Sequence, residues 1–242
     1  MSKSKPPVRA QLPYLIRGVA VILMIFYHFL FDVENFISPL RVPWLWIWGP
    51  EVIAGMFLLA AGLSSAFIYQ YKPQKAFSIN FKRFIRLIGI GLILLLITLL
   101  FTNNYIIVFG ILTCIGFSIL LGHFLLPVPP HLQLTLALLI IIGGNLWDKM
   151  GYYNQLAYFL QGLMKRSMLD FFPMIPWVGY LLLGQYLGLT KKAFFEKEWP
   201  HNKVTLSLAF LGKHSLLIYL IHQPIIFLLL FLFGFLPFKN PF

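Results

Sequence analysis

Long apolar runs, separated by short polar or proline-rich segments, dominate the hydrophobic pattern of this chain. Each run is close to the roughly 20 residues that an α-helix needs to cross a bilayer. The pattern therefore predicts seven transmembrane helices, the last interrupted at Pro224. Their approximate bounds are 14–36, 51–70, 84–102, 105–126, 131–147, 170–189 and 207–236. Residues 37–50 read as a loop rich in proline and tryptophan, and residues 152–164 as an interfacial helix.

Composition supports the same class of protein. The chain has 242 residues, of which 60% are hydrophobic and 11% charged, and its mean hydropathy is +0.83. These values lie far outside the globular range. We predict an all-α polytopic membrane bundle: a basic tail over 1–13, a single transmembrane domain over 14–236 and a short tail over 237–242. The single cysteine, Cys114, excludes an intramolecular disulfide and a cysteine metal cluster.

Positive charge predicts the orientation of the bundle. The net charge is +12, and the basic residues flank the apolar runs, so anionic lipid headgroups or an anionic cofactor are expected partners rather than nucleic acid. With the N-terminus in the cytoplasm, five of the 19 basic residues fall in outer segments: Arg41, Lys149, Lys165, Arg166 and Lys239. Cytoplasmic segments carry the excess of Lys and Arg. The N-terminus is therefore predicted inside and the C-terminus outside, with His28, Asp32 and Asp170 toward the outer side.

Arg17, His28 and Asp32 are ionisable groups within residues 17–32 of the first apolar run. Arg17 and His28 are eleven residues apart, about 16 Å along a helix and close to a whole number of turns. His28 and Asp32 are four apart, so they are neighbours on one helix face. Ionisable groups inside a span are costly and mark functional sites. A neutral imidazole can take a proton from a hydroxyl or amine, and a carboxylate can orient it. A purely structural polar pair is the alternative.

A basic cluster lies at the cytoplasmic end of the third predicted span. It contains Lys82, Arg83 and Arg86, and the two arginines share a helix face. Guanidinium forks fit phosphate oxygens. Ordinary anchoring at the cytoplasmic surface is the alternative explanation. His123, at the predicted end of the fourth span, is expected only to be solvated.

Two further sets of residues are candidates for substrate contact. Tyr219 and His222 are adjacent on the last span, where Pro224 frees a backbone carbonyl, so a polar packing contact is equally open. Asp170 and Trp177 open the sixth span. They would line a substrate mouth, or serve as a helix N-terminal acid and an aromatic belt residue. No Cys/His spacing typical of a metal site is present in the sequence, and no metal is expected.

Three segments in the right order carry a family resemblance. They are Leu15-Ile-Arg-Gly-Val-Ala20 followed by His28, the basic segment Phe81–Arg86, and Tyr219-Leu-Ile-His222. This arrangement resembles the membrane-bound acyltransferases. Within that group, Ile22–Asp32, Asp170–Trp177 and Leu211–Pro224 are most similar to the small bacterial relatives of heparan-α-glucosaminide N-acetyltransferase.

The resemblance implies a multi-pass enzyme of the bacterial plasma (inner) membrane. It would move an acetyl or other acyl group from cytoplasmic acyl-CoA to a hydroxyl or amine of a glycan or lipid-linked sugar outside. His28, which matches the histidine of bacterial O-acyltransferases, would be the general base, with Asp32 orienting it. The implied coenzyme-binding residues are Arg17, Lys82, Arg83 and Arg86. The implied acceptor-binding residues are Asp170, Trp177, Tyr219 and His222.

Two other classes of function stay open at this point. A non-enzymatic transporter or flippase would use His28, Asp32 and His222 as a proton or solute site. A structural or assembly subunit would use none of them. Seven spans is also fewer than the larger relatives have, which leaves room for a homo-oligomer.

Overall fold

The computed structural model describes residues 11–38, 42–151, 155, 159–160, 162–163, 165–168, 170–191, 199–200 and 202–235. The tails over 1–10 and 237–242 lie outside the described residues, as does most of the predicted interfacial helix over 152–164. The described part of the chain contains eight α-helices and one short pair of strands. The helices are α1 (Leu12–Phe36), α2 (Pro43–Tyr71), α3 (Pro73–Phe101), α4 (Ile111–Leu125), α5 (Pro130–Lys149), α6 (Met174–Thr190), α7 (Lys203–Lys213) and α8 (Ser215–Leu232). The strands are β1 (Tyr105–Ile106) and β2 (Ser167–Met168).

Within the described residues, five helices are long and apolar enough to cross a membrane. They are Leu12–Phe36, Trp48–Tyr71, Pro73–Phe101, Pro130–Lys149 and Ser215–Leu232. The helix α4 is apolar but shorter, with 15 residues. The result is a helical membrane protein, and the predicted number of seven spans and the orientation of the termini stay predictions.

The chain divides into two compact units. The first contains residues 1–57 and 193–241, and the second contains residues 58–192. The helix α2 therefore contributes its first part to one unit and its second part to the other. The single domain predicted over 14–236 stays a prediction.

In the first unit, α1 packs closely against α7 and also contacts α8. Gly18 and Gly212 allow this approach, because a methyl group on Gly18 would meet the backbone of Leu208 and one on Gly212 would meet the backbone carbonyl of Tyr14. Small residues let helix backbones approach closely in this way in membrane proteins. The close contact fixes the start of α1, and with it the direction in which the rest of the helix runs.

In the second unit, much of α6 is enclosed by other helices. Leu181 and Leu182 are fully buried, and the second part of α2, together with α4 and α5, packs around them. A methyl group on Gly62 would meet the Leu181 carbonyl, and one on Gly184 would meet the Leu59 carbonyl. Gly62 on α2 and Gly184 on α6 therefore allow these two helices to pack closely.

Several predicted bounds are wrong. The loop predicted over 37–50 is helical from Pro43 onward, and Pro50 lies inside α2. The third helix begins at Pro73 rather than at 84, so the basic cluster lies more than two turns inside the helix rather than at its end. Proline suits the first turn, because the first backbone N–H groups of a helix have no intrahelical acceptor. A polar stretch can thus be helical when an apolar helix continues from it.

The fourth helix begins six residues later than predicted, at Ile111 instead of 105. The preceding residues form β1, which pairs in parallel with β2, so that Tyr105 lies opposite Ser167. A bridge between Phe109 and Phe171 extends this pairing. Pairing with a segment about sixty residues away overrides the local apolar pattern.

The last predicted span is interrupted at His214 and not at Pro224. His214, with φ −100° and ψ 13°, separates α7 from α8. Hydrogen bonds from His214 N to Phe210 O (3.1 Å) and from Ile218 N to His214 O (3.0 Å) continue the α-helical pattern across the break. Pro224 lies inside α8, where it removes one N–H donor without ending the helix.

Candidate active site

Three side-chain contacts join α1 to α8 within the first unit. We call them the α1–α8 seam: His28 with His222, Asp32 with Gln223, and Phe36 with Phe227. The α1 members are spaced four residues apart, so they share one face of that helix. The contacts advance in the same direction along both helices, so α1 and α8 run parallel to each other.

The two histidines form the first contact of the seam. Their ring centroids lie 4.7 Å apart and the rings are nearly perpendicular, at 82°. His28 Nδ1 is 2.9 Å from the Met24 carbonyl, and His222 Nδ1 is 2.6 Å from the Tyr219 carbonyl. A carbonyl oxygen can only accept a hydrogen bond, so each Nδ1 carries the proton. In each neutral ring, Nε2 therefore presents a lone pair that can accept a proton.

Asp32 and Gln223 form the second contact. The Gln223 side-chain amide donates to both carboxylate oxygens of Asp32, at 3.1 and 2.9 Å. Asp32 is only 1% exposed, and it has no cationic partner among the described residues. A buried carboxyl group is costly unless it is hydrogen-bonded. This contact therefore ties α8 firmly to α1.

The predicted pairing of His28 with Asp32 is wrong. Among the contacts of the described residues, none joins the two side chains. Both residues lie on one face of α1, as predicted, but His28 Nδ1 bonds to the carbonyl one turn before it. Asp32 bonds across to α8 instead. A side chain four residues away must compete with a backbone carbonyl of the same helix and with a neighbouring helix, and here both competitors prevail.

Arg17 lies near the start of α1, in the same unit as the seam. Its guanidinium carbon is 6.0 Å from the centroid of the Tyr14 ring. Cations at this distance from an aromatic ring are attracted by its quadrupole. Eleven residues separate Arg17 from His28, about 16 Å along the helix, as the sequence predicted.

The basic cluster is divided by the geometry of α3. Lys82 and Arg86 are exposed, whereas Arg83 is partly buried in the second unit. Arg83 Nη1 donates to Ser65 Oγ on α2 (3.2 Å) and to Asn80 Oδ1 (3.1 Å). The shared face predicted for the two arginines does not give them the same surroundings, because Arg83 bonds to Ser65 on α2 whereas Arg86 is exposed.

Asn80 and His123 extend this contact to α4. Both Asn80 and Ser65 are fully buried. The Asn80 amide nitrogen is 3.3 Å from His123 Nδ1 and donates to it. The prediction that His123 is only solvated is therefore wrong, because its ring accepts a hydrogen bond from Asn80. Asn80 lies one turn before Arg83, and this spacing was the only sequence signal that could have indicated its role.

Asp170 follows β2 in the chain, and in the second unit its side chain contacts the start of α4. Its Oδ2 accepts a hydrogen bond of 3.0 Å from the backbone N–H of Ile111, the first residue of α4. The strand pairing described above brings these distant segments together. Carboxylates are favourable at helix N-termini, where backbone N–H groups have no intrahelical acceptor. Asp170 thus acts as a helix N-terminal acid, although on α4 rather than on the helix that follows it.

Trp177 belongs to the buried side of α6. It is 8% exposed, and its ring centroid lies 5.0 Å from that of Phe172 and 5.7 Å from that of Tyr180. This is a packed aromatic cluster within the second unit. The predicted contacts of Asp170 and Trp177 with an acceptor stay predictions.

These features define a class of protein. Five apolar helices and a seam of two histidines, a carboxyl and an amide describe a helical membrane protein with a polar site inside its spans. The described residues contain no group of three or more His, Cys, Asp or Glu that could hold a metal ion.

The family follows from a comparison with known proteins. The model of the heparan-α-glucosaminide N-acetyltransferase catalytic family matches residues 14–224, and the chain belongs to this family. No curated protein and no solved structure matches the chain. The chain is therefore a membrane acetyltransferase in the general sense of its family.

Proposed function

We propose that this protein moves an acetyl group from cytoplasmic acetyl-CoA to a hydroxyl or amine of a glycan or lipid-linked sugar on the outer side of the membrane. His28 is the general base in this proposal. The observation that carries it is the bond from His28 Nδ1 to the Met24 carbonyl, which leaves the Nε2 lone pair to accept a proton. The family supports the acetyl group, and its name supports a sugar acceptor.

Asp32 supports the site by a different route from the predicted one. It is a positioning residue that acts through Gln223, because its carboxylate accepts the Gln223 amide and so holds α8 against α1. This contact keeps the neighbouring His222 ring against His28. Removing Asp32 should therefore lower activity through the geometry of the seam rather than through the chemistry of His28.

The basic residues hold the phosphates of the donor in this proposal. Lys82 and Arg86 are exposed cations of α3, and Arg17 is a cation of α1. Arg83 is held in one orientation by Ser65 and Asn80. A guanidinium that is already oriented loses less conformational entropy when it binds a phosphate.

Tyr219 and His222 are the proposed acceptor contacts on α8. The ring centroids of these two residues are 5.8 Å apart, and His222 lies against the proposed base. An acceptor near them would bring its hydroxyl or amine toward the His28 ring. Asp170 and Trp177 stay proposed acceptor contacts on the family resemblance alone.

The test uses the purified full-length protein in lipid nanodiscs. Coenzyme A should raise its melting temperature, and radiolabelled acetyl-CoA should acetylate glucosamine or glucose, which serve as amine and hydroxyl probes. Hydrolysis of acetyl-CoA provides a readout that needs no sugar. The variant His28→Ala should keep the stabilisation by coenzyme A and lose transfer.

The same experiment addresses the alternative of a transporter or flippase. That class of protein has no need of a coenzyme, so coenzyme A would not stabilise it. Absence of both stabilisation and acetyl transfer in the wild-type protein would refute the acetyltransferase proposal. Stabilisation with unchanged transfer by His28→Ala would refute only the role of His28.

A further inference from the structure

The second nitrogen of His222 is an enclosed acceptor without a partner. His222 is 7% exposed, and its Nδ1 is bonded to the Tyr219 carbonyl. Its Nε2 is buried and makes no hydrogen bond. The Oε1 atom of the next residue, Gln223, is also buried without a hydrogen bond. Because Nδ1 carries the proton, this Nε2 is a lone pair and not a donor.

An enclosed lone pair without a donor costs free energy in the resting protein. The ring is held through Nδ1, and Nε2 adds no hydrogen bond to the resting fold. The ring that faces His222 is that of His28, at a centroid distance of 4.7 Å. A proton arriving on His28 creates a positive charge next to this lone pair.

We propose that His222 is a positioning residue that acts through His28, with its Nε2 lone pair stabilising the imidazolium that His28 forms during transfer. This inference rests on the proposed acetyltransferase function and changes the role of His222 within it. The interaction is absent in the resting protein and present once His28 is charged. An interaction of this kind lowers the barrier of the chemical step instead of strengthening substrate binding.

The reaction step is balanced as follows. The acceptor's O–H or N–H bond breaks and its proton moves to His28 Nε2, while the acceptor oxygen or nitrogen forms a bond to the acetyl carbon. The C–S bond of acetyl-CoA breaks and the electron pair leaves with sulfur as a thiolate. The imidazolium of His28, stabilised by His222, then returns its proton to the thiolate, and both histidines are neutral again.

Two substitutions separate this role from a purely structural one. In His222→Asn, the side-chain amide can still donate to the Tyr219 carbonyl from the δ position, but no acceptor remains at the ε position. In His222→Gln, the side chain places an acceptor oxygen at the ε position and loses the δ donor. The control is His214, whose Nδ1 is bonded in the same way, to the Phe210 carbonyl at 2.9 Å.

The measurement is the rate of acetyl-CoA hydrolysis and of transfer to glucosamine and glucose, in nanodiscs, with melting temperatures for each variant. We expect His222→Asn to lower kcat about 100-fold, within the range for general acid–base catalysis. The KM for acetyl-CoA should change by less than about twofold, because the interaction exists only in the charged state. His222→Gln should retain at least about ten times the kcat of His222→Asn. The same substitutions at His214 should leave kcat unchanged.

The relative kcat values of the two His222 variants test the inference. If His222→Asn is as active as His222→Gln or more active, the ring serves only to hold the fold and the inference is overturned. In a His28→Ala background, His222→Asn should cause no further loss, and a further loss of similar size would also overturn it. A wild-type protein that coenzyme A does not stabilise, and that is inactive toward water and both sugars, overturns the acetyltransferase function itself. An active protein in which His222→Asn is not slower than His222→Gln overturns only the role of His222.

Discussion

The Gln223 amide on α8 donates to both carboxylate oxygens of Asp32 on α1, at 3.1 and 2.9 Å, across 191 residues of sequence. This contact replaces the pairing of Asp32 with His28 that helical spacing predicted. It also explains how a buried carboxyl group is accommodated in an apolar helix.

Removing the Asp32 carboxylate should destabilise the protein. The variant Asp32→Ala leaves the half-buried Gln223 amide without its acceptor, so we expect a loss of about 1–3 kcal/mol in the free energy of unfolding. Asp32→Asn retains one acceptor oxygen and should lose less. Denaturant unfolding in detergent micelles measures both. Asp148→Ala, at an exposed position on α5, is the control and should lie within about 0.5 kcal/mol of wild type. Equal stability of Asp32→Ala and the control would contradict the role of this contact.

Removing the proposed base should abolish most of the chemistry. We expect His28→Ala to lower kcat by about 10²- to 10⁴-fold, the usual contribution of a positioned acid or base. Initial rates of acetyl-CoA hydrolysis and of acetyl transfer measure this loss. The control is His131→Ala, an exposed position on α5. If the two variants had similar rates, His28 would not be the base.

Removing Arg83 should weaken coenzyme binding more than removing its neighbours. We expect Arg83→Ala to raise the Kd for coenzyme A at least about tenfold, or about 1.4 kcal/mol. Arg86→Ala, at an exposed site, should have a smaller effect that disappears at high salt. Isothermal titration at two salt concentrations separates these effects. An Arg86 effect as large as that of Arg83, at both salt concentrations, would show that the orientation by Ser65 and Asn80 is immaterial.

Filling the contact between α1 and α7 should be costly. A methyl group in Gly212→Ala would meet the Tyr14 carbonyl, so the helices must separate, and overpacking of this kind costs about 1–3 kcal/mol. Gly143→Ala is the matched control, because no atom lies within 4 Å of its added methyl group. That control should be stabilised by about 0.5–1 kcal/mol through helix propensity. Thermal melts of both variants test the difference, and a Gly212→Ala protein as stable as Gly143→Ala would refute the close packing.

Much of the helical organisation could be predicted from local sequence. The run predicted over 14–36 is helical from Leu12 to Phe36, and the run predicted over 131–147 is helical from Pro130 to Lys149. Bilayer-length apolar segments satisfy their backbone hydrogen bonds internally, so their helical state depends on their own residues. The start of α4 could not be predicted, because it depends on the pairing of β1 with β2 and on Asp170.

The candidate site shows the same division. The sequence by itself determined that His28, Asp32 and His222 lie within apolar helices, and that His28 and Asp32 share one face of α1, because 3.6 residues per turn leaves no alternative. Only the tertiary structure decided which atoms these side chains meet: the His222 ring for His28, the Gln223 amide for Asp32, and Ser65 and Asn80 for Arg83. Helical periodicity specifies the face on which a side chain lies. The partner on that face depends on which helix packs there, at what separation and in what register.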